Sequence, residues 1–368
     1  MGDARWLHPG AWWIWALGMA AAASRTTNPL LLIALIAVAA LVVHARRPDA
    51  PWGRSFRFFL QLGLIVIVVR MAVQVLLVSS VGTTTILDLP GITLPEWLAG
   101  IRIGGDVRLE SLLMGFYDGL RLATILICIG AANSLASPTR LLKSVPAGLY
   151  ELGVSIVVAL TFTPQLVADV ERLKTARRLR GRRTTGPRAI AAAAIPVLEG
   201  ALERSVTLAA AMDSRGYGRR GPESARRRRG TTGLLLLGLV AACIGTYGLV
   251  SAGSPALMGL PLLVLGLGSA VGAVVWSGRS QVRTRYRPDP WSLPEWLVSA
   301  AGVTVAGIFT VAAWSGMTGM VASFDPPTWP SLPLAALVGV AIAATAAVTA
   351  PPLPRSMRMQ RELVEVGA

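Results

Sequence analysis

Two arginines, Arg180 and Arg215, hold the positions in this chain best suited to bind a partner. Each is followed by glycine, as Arg180-Gly181 and Arg215-Gly216, and each closes a stretch of helical composition. Glycine just past a helix takes the left-handed conformation without a Cβ clash, so the helix stops there. Arginine in the last turn suits the negative end of the helix dipole and is carried beyond the tip. Its planar guanidinium then offers forked, charge-assisted hydrogen bonds to a carboxylate. One Arg-Gly pair says little, because an ordinary helix-end cation facing lipid phosphate looks the same. Two of them in one basic segment, 176–218, point to a paired contact surface.

Little else in the sequence can do chemistry. There is no G-x-x-x-x-G-K-[ST] loop, so the chain has no Walker-type ATP site. Gly266-Leu267-Gly268 lies in a lipid-length run and reads as a helix-packing surface, not a phosphate cradle. His8 and His44 are the only histidines and lie far apart, while Cys128 and Cys243 sit in apolar runs as small buried hydrophobes. No zinc, iron or haem set and no disulfide framework follows from them. Asp118 is the main carboxylate inside an apolar run, whereas a proton- or sodium-driven carrier needs such groups near mid-membrane. Neither a Ser/His/Asp set nor paired carboxylates can be assembled, so no catalytic residue is assigned.

Composition states what must position the two arginines. The chain has 368 residues, 53% hydrophobic and 15% charged, with a mean hydropathy of +0.59. Several apolar runs approach the ~20 residues needed to cross a bilayer, so the expected class is an all-α polytopic membrane protein. The net charge of +16 is concentrated in basic blocks between those runs. That is the pattern of cytosolic loops, and it argues against nucleic-acid binding.

Runs at 12–23 and 30–43 flank the turn SRTTNP and suggest a tight hairpin, with a cleavable signal as the competing reading of the first. The tryptophan cluster in that first run fits an interface anchor. Asn28 and Pro29 would cap and start the second helix. The run 58–81 carries Arg70 near its middle, where pairing with Asp118 on the span 111–132 is the favoured structural role. Between them, 82–110 forms a long outer loop holding Asp88, Glu96, Asp106 and Glu110. The apolar run 149–160 has basic flanks on both sides, so it is expected to touch the membrane and leave it as one long helix through Pro164. Asp169 and Arg172 pair along it at i,i+3 spacing.

A second arm starts at Pro187 and passes a kink at Pro196 to reach Ser214. Ile195, Leu198, Leu202 and Val206 favour one face of it, with Glu199 and Glu203 on another. Four further apolar runs follow the RRRRG segment, near 233–252, 258–276, 296–320 and 332–350. Their links alternate between uncharged or acidic and basic, giving about eight crossings with both termini inside the cell. The chain thus divides into N-terminal spans over 1–132, a coupling-helix region over 133–230, a hairpin with a basic loop over 231–290, and an extra hairpin with a tail over 291–368.

The run from 113 to 218 resembles the transmembrane T component of energy-coupling factor transporters, the group that includes cobalt-transport permeases. It does so through GFYDGLRLATIL (with Asp118 and Arg121), SPTRLLKSVPAGLYELG, ALTFTPQLV, ARRLRG and LAAAMDSRGYG. HPGAWW and SRTTNP are similar to that family's opening hairpin, so the resemblance covers roughly 8–250. It implies that Leu179-Arg180-Gly181 and Ser214-Arg215-Gly216 each dock on one of two ATP-binding-cassette subunits. ATP would be hydrolysed by those partners, with no cofactor on this chain. A separate substrate-binding membrane subunit would carry a vitamin or transition-metal ion across the plasma membrane. Leu179 stands where the family has a small residue, and 160–164 (LTFTP) lacks the arginine that members carry before this proline. The spans after about 280 exceed what a compact member needs. Two readings from other classes are a polybasic membrane anchor acting through 226–229 and a polytopic lipid-modifying enzyme.

Overall fold

Polar caps followed by proline start the helices at the N-terminal end of the chain. A computed structural model describes residues 5–48, 53, 55–76, 83–88, 92–93, 102–143, 150–181, 186–217, 225–250, 255, 258–278, 291–324, 326 and 328–352. The basic turn at 182–185, the basic link at 279–290 and the tail beyond 352 lie outside them. Helix α1 (Pro9–Ser24) is capped by His8, whose Nδ1 accepts the Gly10 N–H at 3.1 Å. Helix α2 (Pro29–Arg46) is capped by Asn28, whose Oδ1 accepts the Leu30 N–H at 3.0 Å. In both, proline fills the first turn, where its missing N–H has no partner to lose.

Two units result. The first joins residues 1–141 to residues 289–368. Within it α3 (Ser55–Leu76), α4 (Leu109–Leu135), α10 (Leu293–Trp314), α11 (Leu334–Ala344) and α12 (Ala346–Thr349) assemble with α1 and α2, and the short α5 (Pro138–Lys143) follows α4. Helix α1 lies against α4 and α10, α2 lies against α4 and α11, and α3 packs along α4. Trp15, Met19, Leu31, Leu35 and Phe309 are fully buried where these helices meet. The Trp15 Nε1–H donates to the Ala343 carbonyl at 3.1 Å. The expected tryptophan anchor is therefore corrected: Trp12 and Trp15 are core residues, held inside by helices that come more than 270 positions later. Glycine allows that contact, since a Cβ on Gly18 would meet the Gly302 carbonyl oxygen at 2.1 Å.

The SRTTNP turn is clasped by the segment between α10 and α11. Asn28 Nδ2 donates to the Gly319 and Ser331 carbonyls, both at 2.7 Å, and the Thr26 hydroxyl donates to Met320 at 2.6 Å. At the other end of α1, Glu295 is fully buried at the start of α10. Its carboxylate accepts from Arg5 at 2.8 Å, from the Ser292 N–H at 3.1 Å and from the His8 N–H at 3.3 Å. A buried carboxylate needs such partners to offset its desolvation.

Between α3 and α4 run two short antiparallel ladders. Strand β1 (Thr85–Asp88) pairs with β4 (Asp106–Arg108), and β2 (Ile92–Thr93) pairs with β3 (Arg102–Ile103). Glu110, placed in the outer loop by sequence, instead lies in the first turn of α4, buried, and accepts the Thr84 N–H at 3.2 Å.

The second unit, residues 142–288, holds α6 (Tyr150–Leu179), α7 (Pro187–Ser214), α8 (Ala225–Val250) and α9 (Leu260–Gly278). Helix α8 starts at Ala225, so the RRRRG segment forms its opening turns and is not a loop. It packs closely on α9, and a Cβ on Gly266 would meet the Ala242 nitrogen at 2.5 Å. Gly268 faces open space, so only part of that Gly-Leu-Gly set packs. Cys243 is exposed on α8, against the expectation of burial, while Cys128 is buried.

Six helices among the described residues are long and apolar enough to cross a membrane: α2, α3, α4, α10, and most of α6 and α8. Shorter apolar helices span Pro261–Ser277 and Leu334–Thr349. The protein is a multi-pass membrane protein of the all-α class, its two short ladders apart. Apart from α1, each of the eight expected crossings coincides with one of these helices. The apolar run at 149–160, expected to touch the membrane and leave it, falls largely in α6, of which Gly153–Leu179 also meets the length and apolarity of a crossing.

Candidate functional site: two arginine-tipped helices

Helix α6 has 30 residues and α7 has 28, about 45 and 42 Å of helix. Each contains a proline, Pro164 in α6 and Pro196 in α7, and each continues through it. Their ends are built alike. Gly181 has φ of +68° and Gly216 has φ of +72°, the left-handed region that glycine enters at no steric cost. The Gly181 N–H donates to the Arg178 carbonyl at 3.0 Å. At the second end the Gly216 N–H donates to Asp213 at 2.9 Å and the Tyr217 N–H to Met212 at 3.0 Å. Those two bonds together make a Schellman closure, which satisfies carbonyls the helix end would leave orphaned.

The closures leave Leu179, Arg180, Ser214 and Arg215 exposed. Leu179 is 85% exposed, so the residue that departs from the small-residue pattern is presented at the tip and not tucked away. The two tips are separate surfaces. From Gly181 to Pro187 the chain can reach at most about 21 Å. Arg215 then lies the full length of α7 further on, about 42 Å. The tips must therefore stand at least roughly 20 Å apart.

What ties the two helices together was only half visible in the sequence. Asp169 approaches Arg172 on its own helix at 3.8 Å. Its tighter partner is Arg204 on α7, whose Nη2 lies 2.6 Å from Asp169 Oδ2. Arg180 follows Asp169 by eleven positions, and Arg215 follows Arg204 by eleven. At 1.5 Å per residue, each tip stands about 16 Å beyond the ion pair. A pairing across two helices leaves no local signature, but that equal spacing to both Arg-Gly ends was available to be read.

The other predicted structural residues fall in the first unit. The Arg70 guanidinium on α3 donates from Nη2 to Asp118 Oδ2 on α4 at 3.1 Å. Gly119 lets the two helices approach there: a Cβ on it would sit 3.3 Å from Arg70 Cβ. Arg121 lies half-buried on α4, about one turn beyond Asp118. On α7, Ile195, Leu198, Leu202 and Val206 form a stripe at helical spacing, and all four are exposed. Among the described residues no group of three or more His, Cys, Asp or Glu side chains is placed to hold a metal ion.

Comparison with known proteins adds two findings. The family described as cobalt transport protein (CbiQ) matches residues 5–225, more than half of the chain. A stretch of 92 residues is 36% identical to the energy-coupling factor transporter transmembrane protein EcfT of Leuconostoc gelidum subsp. gasicomitatum. That stretch is 23% of this chain and 34% of the relative, so the chain spans about a third of the relative's length in the alignment.

Proposed function

The chain belongs to the cobalt transport protein family, and from that premise we propose that it is the membrane coupling subunit of an energy-coupling factor importer. Its two partners at the cytosolic face are ATP-binding-cassette subunits, one for each arginine tip. ATP is bound and hydrolysed there, and this chain carries neither cofactor nor catalytic residue. A third partner, a separate membrane subunit, binds the cargo, which is a vitamin or a transition-metal ion. In this reading the protein sits in the plasma membrane with both termini cytoplasmic, since its basic segments then all face one side.

One observation carries the proposal: two helices with matched glycine closures each hold an exposed arginine out past the tip, about 16 Å beyond a shared ion pair. A separation of at least roughly 20 Å suits two sockets on two proteins better than one socket on a single protein. Closure of the ATPases on ATP would draw the tips together or apart. The Asp169–Arg204 contact makes each helix a lever whose far arm lies toward the membrane. The exposed apolar stripe of α7 would then be the surface that moves the cargo-binding subunit, because an apolar partner or lipid must cover it.

The test is charge reversal. The double variant Arg180→Glu, Arg215→Glu should lose co-purification with the ATPases and lose uptake while the chain still inserts in the membrane. Normal assembly and transport in that variant would refute the docking role. Replacing the arginines of 226–229 instead should leave assembly intact; loss of function there alone would favour the membrane-anchor reading.

A further inference from the structure

One polar spot in the first unit has no part in docking the ATPases. It lies on α4, which packs against α1, α2 and α3 and keeps one side open among the described residues. That side carries Met114, Asp118, Arg121, Leu122 and Ile125 at helical spacing, and none of the five is buried. Lipid or another span can cover the three apolar side chains. Arg121 is a different matter. It stands twelve residues after the first residue of α4 and fourteen before the last, about 18 and 21 Å from the two ends. An arginine close to a helix end snorkels to the headgroups, but from this position neither surface is within reach.

The charges around it do not balance. Asp118 lies one turn away, but its Oδ2 already accepts from Arg70 at 3.1 Å. Among the described residues no hydrogen bond or ion pair reaches the Arg121 guanidinium. The Nε of Arg70 is buried and meets no acceptor among them either. Two guanidiniums thus share one carboxylate, which leaves one positive charge within a span. Lipid tails offer no acceptor, so lipid cannot cover this spot. The ATPases sit in the cytosol and do not come to this depth. A span of another membrane protein does, and a carboxylate is the group that a guanidinium fork recognises. Around that carboxylate the partner's face must be apolar, to match Met114, Leu122 and Ile125. We propose that Arg121, with the Arg70–Asp118 pair beside it, receives an aspartate or glutamate from a span of the cargo-binding membrane subunit. This inference rests on the coupling-subunit reading above and names the chemistry by which that partner is recognised inside the bilayer.

The experiment uses the whole complex, purified in mild detergent through a tag on one ATPase. Arg121→Glu should keep the ATPases and bring down about tenfold less of the cargo-binding subunit. Arg121→Lys keeps the charge and should retain most of that subunit. With Leu122→p-benzoylphenylalanine, illumination should give an adduct on a span of the cargo-binding subunit that bears an aspartate or glutamate. Replacing that acidic residue by arginine should restore assembly of the Arg121→Glu chain. Undiminished cargo-binding subunit on Arg121→Glu, an adduct confined to this chain, or an exchange that restores nothing overturns the inference. In each of those cases the ATPases stay bound, so the coupling-subunit reading stands. An unmodified chain that brings down no ATPase overturns both. If Arg121→Glu does not insert, Arg121→Gln removes the charge and keeps a hydrogen-bond donor; it should bring down about threefold less of the subunit than Arg121→Lys, and equal amounts overturn the inference.

Discussion

At the scale of single residues, the account turns on two arginines and the glycines that release them. Gly181 isolates one physical effect, because a Cβ there would meet nothing within 4 Å while its φ stays at +68°. Gly181→Ala therefore adds only left-handed strain, about 1–2 kcal/mol. It should weaken binding of an ATPase by roughly tenfold with no loss of membrane insertion. Gly181→Asn, which enters that region more readily, should recover most of the loss. Titration of the purified partners measures both, and equal affinities for all three chains would separate the tip geometry from binding. The arginine tips were legible in the sequence because helix termination is local: a glycine in the right place suffices. Asn28 was legible for the same reason. Cys243 was misjudged because an apolar neighbourhood looks identical whether it faces protein or lipid. Glu110 was misplaced because the Thr84 N–H that donates to it lies across a loop, 26 positions away.

Among the helices, two contacts decide how motion and stability are distributed. The Asp169–Arg204 pair joins α6 to α7 at 2.6 Å while both side chains remain partly exposed. Such a pair contributes on the order of 0.5–1 kcal/mol, so its worth lies in alignment more than stability. Asp169→Arg alone should reduce transport-coupled ATP hydrolysis, and adding Arg204→Asp should restore it; a double variant as impaired as the single would remove the lever. The other contact is α1 on α10, where a Cβ on Gly302 would lie 2.4 Å from Trp15 Cα. Gly302→Leu forces backbone apart and should destabilise the first unit by more than the ~1–3 kcal/mol of ordinary overpacking. Gly268→Leu, which faces open space, should leave the melting temperature unchanged. Thermal unfolding in detergent compares the two. The sequence placed both glycines in apolar runs, but periodicity cannot tell a glycine against backbone from one against lipid.

Across the whole molecule, the family match ends at residue 225, yet the first unit is completed by α10 and α11 from the far end of the chain. The additional hairpin had no role that sequence could assign. It clasps the SRTTNP turn through Met320, Gly319 and Ser331, buries Trp15, and supplies Glu295 to Arg5. Each of those contacts spans at least 290 positions, where composition and period carry no information. Class, most of the apolar spans and the two glycine helix stops were legible because they depend on length, hydropathy and local stops. The central claim is that one chain engages two ATPases through two separate tips, and site-specific cross-linking tests it most directly. In a Cys243→Ser background, Leu179→Cys and Ser214→Cys, introduced singly into a complex whose ATPase subunits carry one engineered cysteine in the docking groove, should each form a disulfide with that cysteine on mild oxidation. Introduced together, they should give one chain carrying two ATPases. A chain that cross-links to no ATPase at either position, or whose cysteines react with a membrane-impermeant reagent added outside the cell, would contradict it.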